Sequence, residues 1–246
     1  MYGSGKIAIA ILLKLKNRQD IASALLNRYG TDYLFLDKIF RETNTGKTCQ
    51  ISISSISNSD LKFICDRFNE QDKTHLTTLQ NINSSQQIVY LTYTKVGYEA
   101  CLTMARFTQV FLNIGGLAVD IESAEVVRGV DKWLNNYNSD DVFDIYSLYV
   151  GLIEGENNYY SCGMHNFGKA DVSIDLTEEI GMAIYVMNVF NYYRLTESPI
   201  LQDGHTFQPD IESPRYQIKL VEDKEYQVNS LQHNPWGRWH LTINNC

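Results

Sequence analysis

An α+β fold with mixed or antiparallel sheets and packed amphipathic helices is predicted by three observations. Strand-like segments and helix-like segments alternate irregularly, with few β-α-β units in succession. Two stretches carry helical periodicity strong enough to define a buried stripe, Ala100/Met104/Phe107/Phe111/Ile114 and Ile180/Ile184/Met187/Phe190. Turn chemistry recurs between short apolar runs, as at Asn44-Thr45-Gly46-Lys47, Gly155-Glu156-Asn157-Asn158 and Asp203-Gly204.

Taken in order, residues 6–15 form an apolar run without polar alternation, which predicts a strand buried on both faces. Asn17 then caps a helix whose stripe is Ile21, Leu25 and Tyr29, and Gly30 stops it. Residues 33–40 and 48–54 read as strands of a hairpin, and Ser59 or Asp60 caps a helix through Phe68. Residues 69–85 are polar and weakly periodic, the pattern of a loop. A strand at residues 88–94, the helix ending at Gly115-Gly116 and a strand at residues 117–121 make one β-α-β unit. Residues 131–134 form a helical turn containing Trp133.

The polar run at residues 135–141 marks the best internal boundary, dividing the chain into subdomains 1–138 and 139–246 or lying within one continuous domain. Beyond it, residues 142–153, 159–164 and 170–174 read as strands. Asp175 or Thr177 caps the second strong helix, Glu178 and Glu179 favour its positive end, and Pro199 lies past its stop. Residues 216–221 and 239–243 complete the strands.

Composition bounds the function. Hydrophobic residues make up 44 % and charged residues 20 % of 246, ordinary for an ordered globular chain. A net charge of −8 disfavours nucleic acid, because such binding depends on cations neutralising phosphates. The five cysteines are odd in number, scattered and without a C-x-x-C pair, which predicts reduced thiols in a cytoplasm. The apolar start lacks a cleavage site, and no window reaches the length of a membrane span.

The Ala105–Ile121 passage with Gly115-Gly116, the turn Gly163-Met164-x-x-Phe167-Gly168 and the segment Leu201-x-Asp203-Gly204-x-Thr206 carry a resemblance over residues 88–243. On these motifs the chain resembles the bacterial DUF4261 family, a domain of unknown function. The resemblance implies a cytoplasmic α+β protein of unassigned activity and carries over no catalytic residue. By analogy with proteins of this general kind, it also points toward antidotes of contact-dependent toxins.

Candidate chemistry is sparse, and no cofactor is expected. His165, Asp203 and His205, with Asp210 nearby in sequence, would supply a metal-assisted hydrolase if their loops met, but no helical ligand spacing supports them. Cys162 and His165 read as a buried structural thiol and a turn residue rather than as a nucleophile and base. Gly3-Ser4-Gly5-Lys6 lacks the spacing of a phosphate loop, and Gly115-Gly116 follows a helix, the reverse of the dinucleotide-binding order.

Aromatic residues cluster in the C-terminal part, where Tyr159, Tyr160 and Trp236 are candidate partner-binding anchors, with Trp239 and Tyr192-Tyr193 as further aromatics. Asp140, Asp141, Asp144, Glu154, Glu156 and Asp171 are candidate acidic rim residues. The leading expectation is a non-enzymatic cytoplasmic protein-binding module, an immunity or antidote protein that occludes a toxin. The alternatives are the hydrolase and a homodimeric structural or regulatory module.

Overall fold

The structure, a computed structural model, describes residues 5–71, 80 and 82–244. Their fold is α+β, with six α-helices, thirteen strands and two sheets among the described residues.

The first sheet is built around β1 (Ile7–Leu13), in which every residue is buried. Ile7, Ile9, Ile11 and Leu13 point into the larger core, whereas Leu12 meets Ile64 and Phe68 on the opposite face. Helices covering both faces explain why this segment shows no polar alternation. On the larger-core side lies α1 (Arg18–Tyr29), where the Asn17 side chain accepts from the Asp20 amide at 2.9 Å and Gly30, at φ 58°, ends the helix. The expected strand at residues 33–40 is instead a hairpin of β2 (Tyr33–Leu36) and β3 (Ile39–Glu42). Asp37 takes a positive φ of 39° there, a conformation its short polar side chain tolerates better than most.

The next turn, with Gly46 at φ 70°, leads to β4 (Thr48–Ser55) as expected. Helix α2 (Asn58–Gln71) covers the opposite face. Its cap lies earlier than expected: Ser57 Oγ accepts from the Asp60 amide while Asp60 Oδ2 accepts from the Ser57 amide, a reciprocal capping box. Residues 69–71 therefore continue the helix, and residues 72–79 and 81 of the expected loop lie outside the described residues.

Strands β5 (Gln87–Tyr93) and β6 (Gly116–Ile121) flank β1, both antiparallel to it. They are thus parallel to each other with β1 inserted between them, and α3 (Tyr98–Leu112) makes the crossover. The hairpin partner β7 (Val126–Gly129) completes the order β2-β3-β4-β5-β1-β6-β7. Helix α4 (Val130–Asn136) buries Trp133, whose indole donates to the Ala105 carbonyl at 3.1 Å.

Residues 142–153 do not form one strand. They divide into α5 (Val142–Tyr149) and β8 (Gly151–Glu154). Asp141 accepts from the Phe143 amide, and Ile145, Leu148 and Tyr149 repeat at helical spacing toward the larger core. The boundary expected at residue 138 lies between α4 and α5, both of which contribute to that core.

The second sheet is mixed, with order β11-β12-β13-β10-β9-β8. It contains β9 (Asn158–Cys162), β10 (Asp171–Asp175), β11 (Thr206–Phe207), β12 (Tyr216–Val221) and β13 (Arg238–Ile243), and β10 runs parallel to β13. Helix α6 (Ile180–Thr196) packs Ala183, Val186, Met187 and Phe190 against Val172, Ile174, Tyr216, Ile218 and Leu241. Glu179, not Asp175 or Thr177, caps it by accepting from the Met182 amide.

Besides α5, which packs in the larger core and leads into β8, two further segments join the sheets among the described residues. A 3₁₀ turn (Met164–Phe167) between β9 and β10 inserts Met164 and Phe167 into the larger core. Its Asn166 carbonyl accepts from the Gly97 amide at 2.8 Å, and its Asn166 Oδ1 accepts from Ser123 Oγ at 2.9 Å. Residues 222–237 form the second, a strap in which Gln232 donates to the Glu122 carbonyl and Tyr226 to the Glu125 carboxylate.

Gly163 opens the 3₁₀ turn at φ 122°, and a Cβ there would stand 2.2 Å from the Tyr149 carbonyl oxygen. Both the conformation and the contact oppose any side chain. Gly163→Ala is expected to cost about 3 kcal/mol of stability. Chemical denaturation measures this, and an unchanged midpoint would contradict the role given to the turn.

Candidate interaction surface

Helix α6 is apolar on more than its buried stripe. The sequence pattern places Ile180 and Ile184 inside, yet both lie on the outer side with Tyr185 and Tyr192, and α5 adds Phe143 beside them. Each of these five side chains is 40–48 % exposed. Met187 and Phe190 are buried as expected, but Ala183 and Val186 take the inner positions expected for Ile180 and Ile184, so the first half of the helix presents a different phase to the core. Helix α6 packs on the second sheet, on α5 through Tyr146 with Asn188 and Asn191, and on the larger core through Leu195, which leaves these apolar side chains on its remaining outer side.

Between α5 and α6 the surface forms a groove of about 560 Å³. Phe143, Ile184, Tyr185, Val189 and Tyr192 line it, and the Phe143 ring lies 6.3 Å from that of Tyr192. Its polar margin is acidic. Asp141 lines the groove, Glu179 caps α6 beside Gly181, and Asp210 accepts from the Tyr185 hydroxyl at 2.8 Å. The Ser213 and Tyr185 hydroxyls hold the Asp210 carboxyl well below its ordinary range. Among the described residues no lysine or arginine lines the groove. This arrangement can bury an apolar ridge while attracting positive charge at its edge.

The candidate anchors read from sequence lie elsewhere. Tyr160 is buried: its hydroxyl is 3.3 Å from that of Tyr226 and its ring lies under the Arg238 guanidinium at 4.3 Å. Tyr159 is half-buried against the second core. These neighbours on a strand point to opposite faces, and both faces are covered. Trp236 is half-buried against Gly5, whereas Glu154 and Glu156 are exposed on the β8–β9 hairpin. Of the candidate acidic rim, Asp140 and Asp141 are exposed beside the groove's α5 end, and Asp144 accepts from Ser139. Asp171 is no rim residue: it is buried, and it accepts from Ser161 Oγ, the Met164 amide and Asn234 Nδ2.

The proposed metal ligands are not brought together. His165 is buried in the 3₁₀ turn, where burial pushes its imidazole down to about 4, against the opposing pull of the Ser123 and Leu231 carbonyls. His205 is exposed at the opposite edge of the second sheet, near β11, and Asp203 accepts from the Leu220 amide. Among the described residues no group of three or more His, Cys, Asp and Glu side chains is arranged to hold a metal ion. Cys162 is buried, and burial raises its thiol well above the ordinary value, away from a thiolate nucleophile.

One charged cluster escaped the sequence reading. Arg67 of α2 donates to Asp120 of β6 at 2.7 Å, across 53 positions of sequence. With Tyr90 and Glu122 they line a cleft of about 280 Å³ on the α2 side of the first sheet. Burial raises Asp120 to about 6 even against Arg67. Burial and the adjacent Asp120 charge raise Glu122 to about 7. The only sequence signal was a carboxylate in an otherwise apolar strand, Asp120 in Gly116–Ile121.

Because the Glu122 value in the folded state exceeds its ordinary 4.5, the folded protein holds this proton more tightly than the unfolded chain. The group therefore lowers stability progressively as pH rises from about 4.5 to about 7, and fully above that. Glu122→Gln is expected to raise the melting temperature at pH 8, with the gain vanishing near pH 4.5; a gain equal at both pH values would contradict the assignment. No protein family, curated protein or solved structure matches the chain.

Proposed function

We propose that this protein is a non-enzymatic protein-binding module, and that its most specific form is a cytoplasmic immunity or antidote protein that neutralises a toxin by occlusion. The observation that carries the binding role is the outward face of α5 and α6, with five large apolar side chains in one patch and carboxylates at its margin. Sequence-wide charge supports it: at −8, the chain suits a partner whose surface combines an apolar ridge with a basic border. The resemblance of residues 88–243 to the DUF4261 family is part of this proposal and supports its bacterial, antidote form.

On this reading the contact residues are Phe143, Ile184, Tyr185 and Tyr192, with Asp141 and Asp210 at the edge, rather than Tyr160 and Trp236. Aromatic anchors slow dissociation by burying large area with few rotors, and the acidic edge raises the association rate. This protein covers the toxin surface it occludes, so none of its own groups has to react.

The test is co-expression with the product of the adjacent gene. A one-to-one complex that restores growth is the expected result. Ile184→Asp combined with Tyr192→Asp should weaken that complex by about 30-fold or more, the loss of at least one hot spot, while leaving the melting temperature within a few degrees. Growth rescue and affinity unaffected by the double substitution would overturn the assigned face, and no complex with the adjacent product would overturn the antidote form.

A further inference from the structure

A second concavity has a different chemistry from the groove. It lies where the C-terminal end of α6 meets β12 and β13, and its volume is about 350 Å³. Lys169, Arg194, Leu201, Leu220, Trp236 and Trp239 line it together with the Pro199-Ile200 pair, and no carboxylate is among the lining residues. In a chain with eight more acidic than basic residues, an apolar cleft walled by two cations and two indoles is a distinct feature.

The two cations differ: Arg194 is buried, with its guanidinium 4.8 Å from the Phe190 ring centroid, whereas Lys169 is half-exposed. Arg194 is only 4 % exposed. Its guanidinium donates to the Ala170 carbonyl at 2.7 Å and to Asn191 Oδ1, and its Nε has no hydrogen-bond partner among the described residues. Among the described residues Lys169 Nζ donates to Ser198 Oγ, at 3.4 Å. The carboxylate whose field reaches Arg194 is Asp171, but its oxygens already accept from Ser161, the Met164 amide and Asn234. Burial and the neighbouring Arg194 charge lower the Lys169 pKa, so an added negative charge would relieve a repulsion built into the cleft.

The apolar part of the cleft is equally specific. Trp239 packs at the margin of the second core and Trp236 against Gly5, so both indoles are fixed by the fold. Ile200, 87 % exposed, stands at the mouth next to Ser198, whose backbone takes φ 46°. Flat indole walls and branched aliphatic side chains match an apolar or aromatic body, and a single ammonium at the rim matches one negative charge. A phosphate, more strongly hydrated and multiply charged, would leave its oxygens facing these apolar walls unsatisfied.

We propose that this cleft binds a small organic carboxylate with an apolar or aromatic body, Lys169 pairing with the carboxylate, Arg194 supplying a second positive charge from the wall, and Trp236 and Trp239 flanking the body. The site is separate from the α5–α6 groove, and its occupancy does not depend on the protein-binding reading.

The test titrates the full chain by calorimetry with 3-phenylpropanoate, octanoate and indole-3-acetate, using 3-phenylpropanamide and inorganic phosphate as comparators. Ligands of this size in such a cleft are expected to bind with Kd on the order of 0.1–1 mM. The neutral amide should bind at least tenfold more weakly than its acid. Lys169→Gln, at a half-exposed side chain, should lose tenfold in affinity for the acid without loss of melting temperature, and Trp239→Leu should weaken the acid and the amide alike. Absence of binding by all three carboxylates, equal binding of acid and amide, affinity unchanged in Lys169→Gln, or phosphate binding more tightly than the carboxylates would each overturn the proposal.

Discussion

Asp171 is the group around which the two sheets are arranged. It sits at the start of β10, wholly buried, and one of its oxygens accepts from both Ser161 Oγ on β9 and the amide of Met164 in the 3₁₀ turn. The other accepts from Asn234, whose amide also donates to the Lys169 carbonyl and whose backbone N–H donates to Asp223. Asp223 in turn receives the Arg238 guanidinium at 2.9 Å, and that guanidinium lies over Tyr160. A buried carboxylate costs several kcal/mol unless its lone pairs are satisfied, and three donors from separate elements satisfy this one. Burial still pushes its carboxyl up to about 6, so desolvation outweighs the hydrogen bonds that favour the charged form. Removing any donor unbalances the set, so the turn, the strap and β13 are held to one another.

The consequences run outward from there. The 3₁₀ turn, held at its first residue by the Met164 amide donating to Asp171, presents Asn166 to Gly97 and Ser123, which ties the second sheet to the start of α3 and to the turn after β6. The strap fixed by Asn234 brings Trp236 against the first sheet and leaves Trp239 beside the α6 C-terminus, which shapes the cationic cleft. Helix α6 is set by its core stripe, and its outward apolar side follows from a helix that has more apolar side chains than one sheet can cover. The groove and the cleft therefore lie on different parts of the same helix and carry opposite polarity, acidic at its N-terminal half and cationic at its C-terminal end.

Elements with a single physical solution were legible in the sequence. The unbroken apolar run of β1, the Asn17 cap with Gly30 stop, and the long stripe of α3 each admitted one reading, and the α+β class followed from them. Residues 142–149 were not, because a short apolar run rich in Tyr, Val and Phe suits strand and helix equally, and the Asp141 cap decides between them only in three dimensions. Ile180 and Ile184 were assigned inward because α6 is apolar at several phases, so periodicity alone could not orient it. The burial of Tyr160 was not legible: it is enclosed by Arg238 and Tyr226, which lie 78 and 66 residues further along the chain. Pairings across such separations, Arg67 with Asp120 included, leave no local signature.

Through its hydrogen bonds the Asp171 network makes the two sheets one cooperative unit. Native-state hydrogen exchange at the amides of Ile9 in β1 and Val172 in β10 tests it directly, since both lie at the centres of their sheets. The account predicts that both amides exchange only through global opening, with the same opening free energy and the same dependence on denaturant. Val172 exchanging at a free energy well below that of Ile9 would contradict it, because the second sheet would then open while the first remains folded.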